Sequence, residues 1–318
     1  MELRQLENFL AVVDTGTFTR AAGLVHLGQS ALSVSIRTLE ADLGVRLFDR
    51  TTRRVQLTDA GVALAVWARE LLATAAEARA AVDAVTGGMA GTVRVGFMHS
   101  MTAVDLPGIV AAFRHERPGV RLELSTHPDG STGLVEAIIQ GRLDLAVAAT
   151  TDRPPREVSA RELTREPIHL ACSPQHPFAG RGQVAIRDLE DGKFVDLPPG
   201  WGSRVAVDGL FTRTGVRREV FLNVADVDTV VAFVRAGVGL ALLAPSSIPN
   251  RDGIALIPTR PAAHFAVSLV TSNRRPPTAA VKAFADVVKA ASPRPSGVKT
   301  TDPPQSRSNF PGAPSSAR

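Results

Sequence analysis

Gln29, Ser30, Ser33, Val34, Arg37 and Thr38 lie within ten residues of one another. At 100° per residue Ser30, Val34, Arg37 and Thr38 share one helix face, with Gln29 and Ser33 on its flanks. Amide, hydroxyl and guanidinium groups hydrogen-bond base edges, and a Val methyl can pack on a thymine methyl, so this set suits the major groove of duplex DNA. A face built only for solvent carries more Glu and Lys. Close by, Arg46, Arg50, Arg53 and Arg54 fall within nine residues and offer guanidinium groups to phosphates or to a minor groove.

A second kind of chemistry sits further along. Met98-His99-Ser100-Met101-Thr102, Gly130-Ser131-Thr132 and Pro198-Pro199-Gly200-Trp201-Gly202-Ser203 each follow an apolar run and precede a helical pattern, and Thr150 ends another run. In open α/β sheets a ligand lies beyond the carboxyl ends of the strands, where helix N-termini present free N–H groups to an anion. Trp201 stands among chain breakers, where a core Trp is not expected, and offers its ring to an apolar or aromatic ligand. Catalysis is poorly supported. His99 beside Ser100 has no accompanying carboxylate and no G-x-S-x-G elbow, and Gly237-Val238-Gly239-Leu240 precedes a strand instead of following one into a helix.

The elements that must position these residues are legible. Phe18, Ala21, Ala22 and Val25 form one apolar stripe, and Leu32, Ile36, Leu39 and Leu43 form another at spacings of four, three and four. Only His26-Leu27-Gly28 separates them, which is the layout of a helix-turn-helix. An earlier helix carries Leu6, Phe9, Leu10 and Val13 and stops at Gly16, and Thr17 can cap the next. After Gly44, Val45–Phe48 and Val55–Leu57 read as two short strands around the arginine tip, a wing.

Thr58 and Asp59 start a long helix to about Val85. Its Leu64, Ala68, Leu71, Ala75, Ala78 and Val82 recur at four and three residues, the seam of a coiled coil, which predicts a homodimer with two reading heads. Packing of that helix on its own chain is the alternative. Gly87–Gly91 is a hinge, and beyond it strands and helices alternate, which implies a largely parallel sheet flanked by helices.

With the flanks added, LRQLENFLAVVDTGTFTRAA, QSALS and LEADLGVRLFDRTTRRVQLTDAG are similar to the N-terminal signature of the LysR-type transcriptional regulators, without a gap from Leu3 to Gly61. The order of later segments resembles the family to about Ala291. Two positions depart from the common pattern: Gly28 replaces a capping Ser, and Val34-Ser35 replace Arg-Gln.

The resemblance implies a winged helix-turn-helix at 1–58, a linker and dimerisation helix with its hinge at 59–91, and a two-lobed α/β periplasmic-binding-protein-like effector domain at 92–291. Within it, lobe I takes 92–164 and 268–291 and lobe II takes 165–267, leaving 292–318 as a Pro/Ser/Arg-rich tail expected to be disordered. It further implies promoter DNA and a small-molecule co-inducer as partners, a homodimer or homotetramer, and RNA polymerase contact. It brings Arg20 near the DNA backbone and gives Ser100, Thr102 and Ser131 the positions that hold a ligand carboxylate, with Met101, Thr132, Thr150, Pro199 and Trp201 around them. No metal or cofactor is implied.

Composition agrees without deciding. The 318 residues are 44% hydrophobic, enough for two or three domains. The net charge of +5 is not evidence for DNA, because residues 1–60 hold seven Arg against seven acidic residues. No apolar run suggests a membrane span or secretory signal, so a cytoplasmic protein is expected. Cys172 is the one cysteine, which excludes an internal disulfide and a Cys-rich metal site. The competing reading is a small-molecule-binding or catalytic α/β protein that uses the N-terminal helices only for assembly.

Overall fold

The computed structural model describes residues 1–49, 55–87, 89–99, 104–151, 153–248, 250–274 and 276–291. The wing residues Arg50, Arg53 and Arg54, the loop Ser100-Met101-Thr102 and the tail from Ser292 lie outside them.

The N-terminal head is built from α1 (Leu3–Thr15), α2 (Phe18–Leu24) and α3 (Gln29–Leu43). Gly16 and Gly44 end α1 and α3 with φ of 68° each, a left-handed cap that costs glycine nothing. The Thr17 hydroxyl accepts the Arg20 N–H at 3.3 Å, closing the start of α2. Between α2 and α3, His26 turns the chain at a φ of 53°, which is how the tight break is made.

Strands β1 (Phe48–Asp49) and β2 (Gln56–Leu57) pair antiparallel with Phe48 opposite Leu57. β1 starts at Phe48 and not at the expected Val45, and the Leu47 N–H just before it donates to the Glu40 carboxylate at 2.9 Å instead of to a strand. The Phe48 ring lies 5.3 Å from Phe9 and 5.8 Å from Phe18, and Leu32, Ile36 and Leu39 are fully buried on the inward side of α3. Each such side chain contributes about 1.5–3 kcal/mol on burial.

Helix α4 (Asp59–Gly87) begins under the Thr58 hydroxyl, which accepts the Gly61 N–H at 3.1 Å. Gly61 is required there: a Cβ would lie 2.2 Å from the Leu47 carbonyl. The expected seam divides on this helix. Ala68 is fully buried in the head's own core and Leu64 packs against it, whereas Leu71, Ala78 and Val82 are exposed and Ala75 is half-buried. The first turns of α4 are pressed on α1, where Arg69 pairs with Asp14, so the stripe starts on its own chain and leaves it only from Leu71 onward. Trp67, absent from the expected seam, is exposed by 62% on that outer side.

The larger domain has two sheets. The first has the order β4 (Val120–Ser125), β3 (Gly91–Phe97), β5 (Leu145–Ala149), β13 (His264–Ser272) and β6 (Val158–Pro167). β3 runs parallel to β4 and β5, but β13 runs antiparallel to β5 and β6, so this sheet is mixed and not largely parallel. The reason is topological: β6 and β13 carry the chain between lobes in opposite directions, and an outgoing and a returning strand side by side must be antiparallel. Helices α5 (Leu106–Glu116), α6 (Gly130–Ile139) and α9 (Ala279–Ala291) belong to this lobe, with Phe113 and Phe284 edge to face at 5.0 Å.

The second lobe pairs β11 (Ala241–Leu243), β7 (His169–Cys172), β12 (Ala255–Arg260) and β8 (Val184–Ala185), and beside them β9 (Lys193–Asp196) with β10 (Glu219–Asn223). Phe194 bridges to Leu240 and joins the two sets. Helices α7 (Arg204–Thr214) and α8 (Val227–Arg235) complete it. The lobes are connected where His264 faces Pro167, and the Ile168 N–H donates to the Ala263 carbonyl at 2.8 Å. Among the described residues no helix is long and apolar enough to cross a membrane.

Candidate functional site

Two surfaces collect the residues singled out in the sequence. On α3 the buried stripe fixes the opposite face outward. Gln29, Ser30, Arg37 and Thr38 are exposed, Val34 keeps 52% of its surface, and Ser33 is half-buried on the flank. Arg37 Nε donates to the Ser33 carbonyl at 3.3 Å and Thr38 Oγ1 to that of Val34 at 3.1 Å, which trims both side chains against the helix. Gly28 caps α3 without a side-chain bond, so the first N–H groups of the helix have no hydroxyl covering them. Arg20 and Arg46 are exposed nearby.

The sequence reading missed Asn8, a buried polar residue of α1 whose Nδ2 donates to Ser35 Oγ at 2.9 Å. That bond ties α1 to α3 and satisfies an amide whose burial without a partner would be costly. A polar residue between the apolar positions Leu6, Phe9 and Leu10 was the available signal.

The second surface is a narrow cleft between the lobes, lined by Met98, His99, Gly130 and Ser131 from one side and Leu197, Trp201, Gly202 and Ala225-Asp226-Val227 from the other. Met98 and His99 follow β3, Gly130 and Ser131 open α6, Leu197 follows β9, and Asp226 precedes α8, so strand ends and helix starts converge as the α/β rule requires. The Ala225–Val227 wall follows β10 and was missed, although the same strand-end criterion applies to it.

Most groups in this cleft are already engaged. Ser131 is buried and its hydroxyl accepts the Ala149 N–H at 3.0 Å. The Thr132 N–H and hydroxyl both point to the Gly200 carbonyl of the other lobe, at 3.3 and 3.4 Å. Trp201 stacks on His99 with ring centroids 4.4 Å apart and planes at 16°, and its indole N–H donates to the Pro128 carbonyl at 2.8 Å. Thr150 lies half-buried off the cleft, 2.7 Å from Ser268 Oγ, and Pro199 is exposed outside the lining.

A charged cluster supports the lobe II wall. Arg204 Nη1 donates to the Leu197 carbonyl at 2.8 Å and to Asn223 Oδ1 at 3.2 Å, and its Nε to Asp208 at 2.8 Å. Arg218 Nη1 reaches Asp196 at 2.6 Å while the guanidinium stacks 4.8 Å from the Phe211 ring centre. Burial pushes the Asp196 carboxyl up, and the Arg218 and Arg204 charges pull it back. Asp226 caps α8 through the Thr229 N–H at 2.8 Å, and the Thr229 hydroxyl and amide hold its carboxyl below the usual range.

Burial raises the Cys172 thiol, so the only sulfhydryl of the chain is buried and not readily ionised.

Residues 3–62 match the family described as bacterial regulatory helix-turn-helix protein, lysR family, and residues 86–293 match the LysR substrate binding domain. The chain is 35% identical over 244 residues to the HTH-type transcriptional regulator ShiR of Corynebacterium glutamicum, an alignment covering 76% of this chain and 82% of ShiR. It is 29% identical over 293 residues to the hydrogen peroxide-inducible genes activator of Pectobacterium carotovorum, covering 91% and 96%. A full-length OxyR variant of Pseudomonas aeruginosa has the same fold, with a TM-score of 0.70 at 22% identity over 92% of this chain and 96% of that one.

Proposed function

The chain belongs to the LysR family of DNA-binding transcriptional regulators with an effector-binding domain, and on that premise we propose which of its residues read DNA and which hold the effector. It is a regulator and not an enzyme, as its relatives are.

Gln29, Ser30, Ser33, Val34 and Arg37 read base edges in the major groove, and Arg20, Arg50, Arg53 and Arg54 hold phosphates or a minor groove. The observation that carries this is the outward face of α3: its polar groups are exposed while Leu32, Ile36 and Leu39 behind them are fully buried. Two heads act together through the outer side of α4, where Trp67, Leu71, Ala78 and Val82 are exposed. A chain that sediments as a monomer at micromolar concentration would overturn the pairing.

The effector is a small organic acid or aromatic metabolite bound between the lobes, against the start of α6 and the Trp201 ring, with Ser131 and Thr132 on one side and Trp201 on the other; Ser100, Met101, Thr102 and Pro199 complete the residues assigned to it. Thr150 belongs to the same assignment as a contact for a larger ligand. A ligand alters regulation only through different affinity for two arrangements of the lobes, and thereby of the heads. With Cys172 as its one cysteine, and that one buried, the chain cannot form an internal disulfide in response to an oxidant.

DNA affinity sequencing with the full chain, with and without a metabolite pool, tests both halves. Enrichment of a two-fold-related site that falls off steeply with salt is expected. Identical footprints with every ligand that binds would remove the coupling, and salt-insensitive, sequence-blind retention would favour the assembly-only reading of the head.

A further inference from the structure

The turn Pro198–Ser203 reaches across from lobe II and engages lobe I by three hydrogen bonds and a ring stack. The Gly200 carbonyl takes the N–H and hydroxyl of Thr132, the Trp201 indole N–H reaches the Pro128 carbonyl at 2.8 Å, and the indole face covers His99 at 4.4 Å. The fit is close. A Cβ on Gly130, whose φ is 59°, would lie 2.7–2.9 Å from Trp201, so glycine is what lets the indole settle over the start of α6. On the lobe II side the turn is anchored by Arg204, which holds the Leu197 carbonyl at 2.8 Å and is itself braced by Asp208. A rigid base and a fitted tip are the parts of a fastening.

We propose that the Gly200–Trp201 turn is an interlobe clasp, so that the lobes are held together by the chain's own groups and an effector has to release them. This rests on the effector reading above. Thr132, placed there beside the ligand, has both its N–H and its hydroxyl taken by the Gly200 carbonyl, and the Trp201 ring assigned to an aromatic ligand is covered by His99. Ligand and clasp therefore compete, and a protein with a loosened clasp binds its effector more tightly, since less of the population is in the excluded state.

The chain has two tryptophans, so the full-length Trp67→Phe protein reports on Trp201 alone. Its fluorescence quenching by acrylamide is measured with no metabolite added, then again after His99→Ala and after Gly130→Ala. Loss of an aromatic stack shifts the closed-to-open ratio by about twofold to tenfold, and the quenching constant is expected to rise accordingly. Gly130→Ala is expected to raise it at least as much. Should that variant fail to fold, as judged by circular dichroism, His99→Ala decides, because His99 is exposed and its loss leaves the core untouched.

Quenching as strong as that of free N-acetyltryptophanamide in the parent, or equal constants in parent and His99→Ala, overturns the clasp. A contrast between parent and variants that persists while no metabolite fraction alters Trp201 emission in either supports the clasp and overturns the effector reading instead.

Discussion

On the outward face of α3 the reading groups stand in solvent, with Val34 exposed by 52%, whereas in the cleft Ser131 is buried to 1% and its hydroxyl already takes the Ala149 N–H. Both surfaces hold hydroxyls near a helix start, yet one presents them and the other uses them on itself. The difference follows from the ligands. Duplex DNA is a large rigid surface that supplies its own counter-groups, so a recognition face needs only a fixed scaffold behind it. A small metabolite must be enveloped, so its site has to be made by two bodies that can separate, and those bodies have to be kept in place by bonds of their own.

Because the head depends on apolar packing and the cleft wall on charge, the two should fail separately. Phe48→Ala empties the head core between Phe9 and Phe18 and is expected to cost about 3–5 kcal/mol. In urea unfolding followed through Trp201 in the Trp67→Phe background, the midpoint should stay put while DNA binding is lost. A common shift in both would mean that head and cleft are one cooperative unit.

Arg218→Met leaves Asp196 buried without its closest guanidinium and is expected to cost about 3–5 kcal/mol in lobe II. Arg218→Lys recovers only part, since an ammonium cannot both span Asp196 and Asp208 and stack on Phe211. The pH dependence has a definite sign. Burial already raises the Asp196 carboxyl in the fold, and without Arg218 it rises further. The neutral form is then the one the fold prefers, so the loss relative to the parent grows as pH rises from about 4 toward 7. A pH-independent difference in thermal unfolding would show that Asp196 stays ionised and is served by Arg204.

Val34→Arg acts on specificity and leaves the scaffold alone. It should change the preferred base at one position of each half-site, a discrimination of about 1–3 kcal/mol, with little change in total affinity. Binding-site selection with both proteins reads this directly, and an unchanged preference would mean that α3 sits differently in the groove. The smallest effect is at the rim of the cleft: Asp226→Ala removes the cap of α8 and should cost about 1 kcal/mol. Its folded carboxyl lies below the usual range. That stabilisation is therefore fully present above an unfolded value of about 3.9 and lost as pH falls through the folded one, so parent and variant should converge in acid.

The helices of the head, the stops at Gly16 and Gly44, the outward face of α3 and the apolar strands β3 and β5 were all legible in the sequence, because each is set by residues within a few positions of one another. Strand β6 was not: VSARELTREP carries two adjacent Arg-Glu pairs and no apolar run, and nothing local marks it as paired until β13 arrives more than 90 residues later. The α4 stripe was visible, but its direction was not. A heptad rhythm is the same whether the helix faces α1 or a second chain, and Ala68 turned out to face α1.

The cleft divides in the same way. Polar strand ends located Ser131 and Trp201, but Trp201 read as an open platform, and the structure covers it with His99 from a segment about 100 residues away. Asp196 and Arg218, 22 positions apart, likewise show no pattern as a pair. The sequence alone thus determined which groups are offered, since periodicity and capping are local. Tertiary structure decided which of them are already taken, since a hydrogen-bond or stacking partner is assigned only when distant segments meet.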